Sequence, residues 1–203
     1  MRGYFVTGTD TGVGKTVVSA WLMEKLSAAY WKPVQSGAAP GEEGDLEMVR
    51  RLTALPGEFF HDSVYRLALP RSPHEAAERE GVQIDLQRLH LPQESRCLIV
   101  EGAGGVLVPL NDKQLQIDLM VQLALPVIVV ARTQLGTINH TLLSVHCLRH
   151  YGLEVAGVIL NGPTDAENRR AIAQYGQVKI LAELPWLQPF SWSQFMRVEL
   201  SLS

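Results

Sequence analysis

Short runs rich in Val, Ile and Leu recur along this chain, and stretches with helical patterning fill the gaps between them. The runs Tyr4–Thr7, Tyr30–Val34, Cys97–Val100, Val127–Ala131, Val155–Leu160 and Val178–Leu181 predict strands. Several are apolar without a break, as in parallel strands covered on both faces. Lys15–Ala29, Asp45–Leu52, Leu115–Ala124, Thr137–Tyr151 and Ala166–Tyr175 predict helices. This alternation predicts an α/β fold: a doubly wound, mainly parallel β-sheet flanked by helices, in one domain over residues 1–203. In such a sheet ligands sit beyond the carboxyl ends of the strands, so chemistry is sought just after each strand.

Composition narrows the classes. At 203 residues, 46% hydrophobic and 19% charged, the chain suits a soluble domain with a sizeable core. A net charge of −3 gives no electrostatic footprint for nucleic acid or an anionic membrane. The apolar stretch Leu125–Ala131 contains Pro126 and is far too short to span a bilayer. A strand almost at the start leaves no room for a signal peptide. Cys97 and Cys147 lie in apolar segments without metal spacing and read as buried free thiols. These features together predict a cytoplasmic protein.

The first strand runs into Gly8-Thr9-Asp10-Thr11-Gly12-Val13-Gly14-Lys15-Thr16, and a helix follows. Strand, glycine-rich turn, Lys-Thr and helix are the parts of a phosphate-binding loop, which predicts the P-loop NTPase type of this fold. Successive backbone N–H groups can point at one anion, and the helix adds its positive dipole end. Lys15 supplies a charge, and the Thr16 hydroxyl can ligate Mg²⁺. The site is therefore expected to hold a nucleoside triphosphate. Five residues separate Gly8 from Gly14 where the strict motif has four.

Polar residues follow the other strands as well. Lys32 could reach a terminal phosphate or an anionic substrate, or be a solvated lysine at a strand edge. Glu101-Gly102-Ala103-Gly104-Gly105 places a carboxylate where it suits a hard cation, with glycines that let backbone approach a ligand. Asp45 opens a helical pattern, and an N-cap is its ordinary role. The helix start after Gly136 could hold a carboxylate on its N–H groups, whereas His140 reads as structural. Asn161-Gly162-Pro163 is either turn chemistry or an amide that pairs with adenine. Pro185-Trp186-Leu187 could wall a base.

Taken in order, the phosphate loop, Lys32-Pro33-Val34-Gln35-Ser36-Gly37, Ser72-Pro73-His74, Glu101–Gly105, Gly136–His140 and Pro185–Leu187 resemble the dethiobiotin synthase family over nearly the whole chain. The resemblance implies an ATP- and Mg²⁺-dependent ring closure of diaminopelargonic acid with CO₂ or bicarbonate, through a carbamate and a carbamic–phosphoric mixed anhydride. It implies Lys32, Lys15 and Thr11 as catalytic residues. Ser36 and Thr11 would bind substrate, joined by Gly136, Thr137, Ile138 and Asn139 from the neighbouring subunit of a homodimer. ATP would be held by Gly12, Val13, Gly14, Lys15, Thr16, Val17, Asp45, Glu101, Gly102, Ala103, Gly104, Asn161, Gly162, Pro185, Trp186 and Leu187. Thr16, Asp45 and Glu101 would hold Mg²⁺. Two departures stand out: Gly12 replaces a Glu found in some members, and the span from Thr16 to Lys32 is short, so helix and strand must join tightly.

Two rivals share the fold. A partition-type ATPase acting through a protein partner carries a second lysine early in the loop, where this chain has Thr9. An amidoligase needs a glutaminase domain, for which the chain is too short.

Overall fold

The order of strand partners explains where the polar residues meet. A computed structural model describes residues 3–39, 41–186 and 191–202. Among these residues seven strands form one sheet: β1 (Gly3–Gly8), β2 (Ala29–Trp31), β4 (Phe60–His61), β6 (Leu98–Gly105), β7 (Val127–Arg132), β8 (Val155–Asn161) and β9 (Ile180–Leu184). Their order is β4-β2-β6-β1-β7-β8-β9, and each pairing is parallel. A second, two-stranded parallel sheet pairs β3 (Val34–Ser36) with β5 (Tyr65–Leu67).

Side-chain alternation builds a core on each face, as a doubly wound sheet requires. Phe5, Val100, Val129 and Leu160 point into one layer with Ile117 and Met120 of α4 (Gln116–Leu123), Val145 and Leu148 of α5 (Thr137–His150), and Ile172 of α6 (Ala166–Gly176). Val6, Ile99, Val130 and Ile159 point into the other, with Val18 and Trp21 of α1 (Lys15–Leu26), Leu46 and Val49 of α2 (Asp45–Thr53), and Phe195 of α7 (Trp192–Phe195). A short helix, α3 (Pro73–Arg79), starts with Pro at its first position, where the missing N–H costs nothing.

The run expected as one strand over Tyr30–Val34 is split. Pro33 has no N–H to continue a ladder. Its carbonyl instead accepts from Val64 N and Tyr65 N at 3.0 and 3.1 Å, and the chain beyond changes partner from β6 to β5. Lys32 thus sits at a fork. The join between α1 and β2 is tight, as its length predicts. Ser27 turns left-handed (φ 48°), and Ala28 N donates to Met23 O at 2.8 Å, closing the helix within two residues of the strand. The expected helix over Lys15–Ala29 therefore ends at Leu26, and the strand expected from Val178 begins at Ile180.

The tail folds back on α1: Lys25 Nζ donates to Met196 O at 2.8 Å and Trp192 Nε1 to Glu24 Oε1 at 2.8 Å. Cys97 and Cys147 are free but only partly buried, which corrects the expectation of buried thiols. Among the described residues no helix is long and apolar enough to cross a membrane.

Candidate active site

The phosphate loop is shaped by its contacts with the end of β8. Gly14 caps α1 at φ 92°, a left-handed backbone, and a Cβ there would lie 2.0 Å from Asn161 Nδ2. That same amide donates to Val13 O at 2.9 Å, pinning the loop. Gly12 is also left-handed (φ 71°), but a Cβ there would meet open space. The first turn of α1 has neither an acidic residue nor a side-chain cap, so its N–H groups suit an anion. Lys15 lies across the loop and donates to Asp10 O at 3.1 Å. Burial lowers its pKa most, and the attraction of Glu101 offsets this only in part.

Parallel register carries the other charges to this loop. β2 pairs Trp31 with Val100 of β6, so the next residues along, Lys32 and Glu101, come side by side. Lys32 is 4% exposed, not the solvated lysine of a strand edge. Its Nζ lies 2.5 Å from Asp45 Oδ2, 2.9 Å from Glu101 Oε1 and 3.4 Å from Gly102 O. Burial opposes its charge, yet the two carboxylates outweigh that and raise its pKa. Asp45 is likewise pushed up by burial and held down, on balance, by Lys32 and by its hydrogen bond from Thr16.

Asp45 is the first residue of α2, not its cap. Gly44 occupies the cap position, and its N–H donates to Glu47 Oε2 at 2.7 Å. The Asp45 carboxylate is thereby free to turn inward. Thr16 Oγ1 lies 2.8 Å from Asp45 Oδ1 and 3.1 Å from Glu101 Oε1. Two carboxylates and a hydroxyl converging beside a phosphate loop are the oxygen donors that a hard divalent cation takes, so the residues fit Mg²⁺. The carboxylates are already matched by Lys15 and Lys32. A triphosphate, with about four negative charges, therefore calls for further positive charge, which a divalent ion would supply.

These groups open on a cavity of about 900 Å³. Of the expected site residues, it is lined by Thr11, Gly12, Gly14–Val17, Lys32, Ser36, Asp45, Glu101, Ala103 and Gly104. Pro70, Ser72 and Pro73, at the start of α3, wall its far side. Val13 is buried beneath the loop, and Gly102 packs so closely that a Cβ would lie 2.8 Å from the Phe5 ring. Asn161, Gly162, Pro185 and Trp186 lie outside this cavity, Trp186 being well exposed. Leu187 falls outside the described residues.

The expected carboxylate-binding segment is not brought to this cavity by its own chain. Gly136 caps α5 without a side-chain cap, and Thr137 donates its hydroxyl to Arg132 O and its N–H to Gln134 O. Ile138 packs partly against the core, while Leu135, Asn139 and His140 face outward.

Three buried residues of the site escaped the sequence. Tyr30 OH donates to Glu101 Oε2 at 3.0 Å, and burial is the main cause that raises its pKa well above the ordinary phenol value. Gln35 Oε1 accepts from Asp45 N at 3.0 Å while its Nε2 donates to Ser36 O at 2.7 Å. Gln116 Oε1 accepts from Ala103 N at 3.3 Å. Alternation held a signal for Tyr30, which shares strand parity with Lys32 and hence a face. No local pattern marked Gln35 or Gln116.

The chain matches the AAA domain family over residues 2–194. It is 52% identical over 184 residues to an ATP-dependent dethiobiotin synthetase BioD of Paramagnetospirillum magneticum, covering 91% of this chain and 88% of that protein. The corresponding enzyme of Bradyrhizobium diazoefficiens is 48% identical, with 92% and 88% covered. A biotin biosynthesis bifunctional protein BioCD of Bordetella avium is 52% identical over 92% of this chain and 40% of its own length. Among solved structures, a ParA family ATPase from Chlorobium tepidum superposes with a TM-score of 0.55 at 12% identity, covering 97% of this chain and 89% of that one. The MinC:MinD complex of Aquifex aeolicus gives 0.55 at 16% identity, with 97% and 85% covered. At such identities these two show the fold alone.

Proposed function

The chain belongs to the ATP-dependent dethiobiotin synthetase family, and from that premise we propose how its site closes a cyclic urea. One amine of diaminopelargonic acid takes up CO₂ as a carbamate. A carbamate oxygen attacks the γ-phosphorus of ATP and ADP departs. The second amine then attacks the activated carbon, phosphate leaves, and dethiobiotin remains. The step that needs a protein is the meeting of two anions, since carbamate and triphosphate repel each other in water.

Lys15 and the N–H groups opening α1 hold the β- and γ-phosphates. Lys32 bridges carbamate and γ-phosphate, Thr11 and Ser36 orient the diamine, and the glycines after Glu101 let backbone close on the nucleotide. Thr16, Asp45 and Glu101 would hold Mg²⁺, which when bound neutralises charge on the phosphates. Asn161, Gly162 and the Pro185–Leu187 segment bound the adenine. In this reading the protein is a cytoplasmic homodimer, and Gly136–Asn139 of the neighbouring subunit offer N–H groups to the substrate carboxylate. The outward-facing start of α5, with Leu135 fully exposed, is consistent with that use.

One observation carries the reading most. A buried ammonium, Lys32, shares a cavity with the phosphate-loop Lys15 and contacts both carboxylates. The test is ADP release by the purified protein with ATP and Mg²⁺. Turnover is expected only when diamine and bicarbonate are both present, with the cyclic product detected by mass. Turnover without the diamine would overturn the assignment.

A further inference from the structure

We propose that Tyr30 is a positioning residue of this site, one that fixes which oxygen of Glu101 faces the nucleotide. The proposal rests on the assignment of Glu101 as a metal-holding group. Tyr30 is fully buried on β2, one strand position from the register pair Trp31–Val100 and on the same strand face as Lys32. Its ring belongs to the apolar layer that contains Val6, Trp21 and Ile99, where a phenylalanine ring would serve equally well. The hydroxyl is what departs from a core residue, and it donates to Glu101 Oε2 at 3.0 Å.

The two oxygens of Glu101 are thereby divided in their duties. Oε2 is tied inward to Tyr30, while Oε1 meets Thr16 Oγ1 at 3.1 Å and Lys32 Nζ at 2.9 Å on the cavity side. Glu101 is 1% exposed, so water does not stand in for a lost partner. A buried carboxylate oxygen deprived of its donor turns toward another one. The donors at hand are Lys32 and Thr16. A carboxylate rotated to share both oxygens with them presents neither squarely to a cation. The phenol thus keeps one oxygen of the acid turned toward the cavity, and its removal falls on metal affinity before it falls on fold or on substrate contacts.

The experiment compares wild type, Tyr30→Phe, Glu101→Gln and the double variant. Calorimetry measures binding of a non-hydrolysable ATP analogue across a Mg²⁺ series. Tyr30→Phe is expected to raise the Mg²⁺ concentration for half-maximal binding about tenfold to a hundredfold, the usual effect of losing a partner that orients a metal-binding side chain. Analogue binding without Mg²⁺ and the KM for the diamine should stay within about twofold, while kcat falls. In the Glu101→Gln background, Tyr30→Phe should add no further shift, because the oxygen it orients has been replaced. A Tyr30→Phe protein with the wild-type Mg²⁺ midpoint, beside a shifted Glu101→Gln, overturns the role of Tyr30 alone. An unshifted Glu101→Gln overturns the metal assignment, and this proposal with it.

Discussion

Lys32→Met keeps most of the length of the side chain, one atom shorter, and removes its charge. In the native site the ammonium stands between two carboxylates, at 2.5 Å from Asp45 and 2.9 Å from Glu101. Without it the acids face each other across Thr16, and two like charges about 5 Å apart repel by about 3 kcal/mol at an effective dielectric constant of about 20. Removing one member of a buried ion pair commonly costs about 3–5 kcal/mol. The Asp45 side chain is 28% exposed, and the water this admits favours the lower end. A loss of about 3 kcal/mol at pH 7.5 corresponds to a drop of about 6–12 °C in melting temperature for a chain of this size. The pH dependence gives the sharper test. In the wild type Lys32 holds Asp45 below the usual carboxylate value despite burial. That contribution is complete above the unfolded carboxylate pKa and fades only as pH falls through the lower, folded one. In the variant, burial is no longer offset by Lys32 and raises the Asp45 pKa instead, so the folded chain binds more protons than the unfolded one in mildly acidic solution. Variant stability therefore rises as pH falls from 7.5 toward 5, and its deficit should shrink by more than half. Urea unfolding at the two pH values measures this. A deficit under about 1 kcal/mol, or one that does not change with pH, would falsify the account of a buried cation separating two acids. Ring closure by the folded variant should fall at least a hundredfold.

Two further outcomes follow from the same geometry. Gly14→Ala forces a left-handed backbone on a residue with a Cβ, at about 1–2 kcal/mol, and drives that atom into the Asn161 amide 2.0 Å away. Nucleotide affinity by fluorescent-analogue titration should drop more than about tenfold, and unchanged affinity would mean that the amide does not shape the loop. Leu135→Asp places a charge beside the start of α5, where Leu135 is fully exposed. If the neighbouring subunit supplies that segment, light scattering should show monomers and the KM for the diamine should rise, with nucleotide binding retained; an intact dimer with wild-type KM contradicts it.

Most of the main sheet was legible because its strands are continuous apolar runs, and because the phosphate loop and Glu101–Gly105 carry their chemistry in adjacent residues, although the latter continue β6 where a turn was expected after Val100. The small sheet and β4, the edge strand of the main sheet, were not. β4 and β5 have two and three residues, too few for a period to show, and β3 was merged with β2 because Pro33 interrupts pairing without interrupting hydrophobicity. Lys32 illustrates the limit of a strand-end rule. Position alone left solvation and catalysis open, and only the β2–β6 register brings Glu101 beside it. Asp45 read locally as a cap, because nothing nearby in sequence reveals that Gly44 takes the cap position and frees its carboxylate for Thr16 and Lys32. Tyr30 and Gln35 were hidden for a related reason: their partners are 71 and 10 residues away, on other elements.

The two-residue join between α1 and β2 has a use beyond economy. It lies at the end of the sheet away from the phosphate loop, with Ser27 exposed and Ala28 fully buried. Yet residues of an extended strand alternate between faces, so a change there that slipped β2 by one residue would send the Lys32 side chain into the opposite layer. The tight join sets how the start of α1 and the end of β2 are spaced, and with them Thr16 and Lys32. Anyone grafting a tag or linker onto this protein should treat that inconspicuous corner as closed.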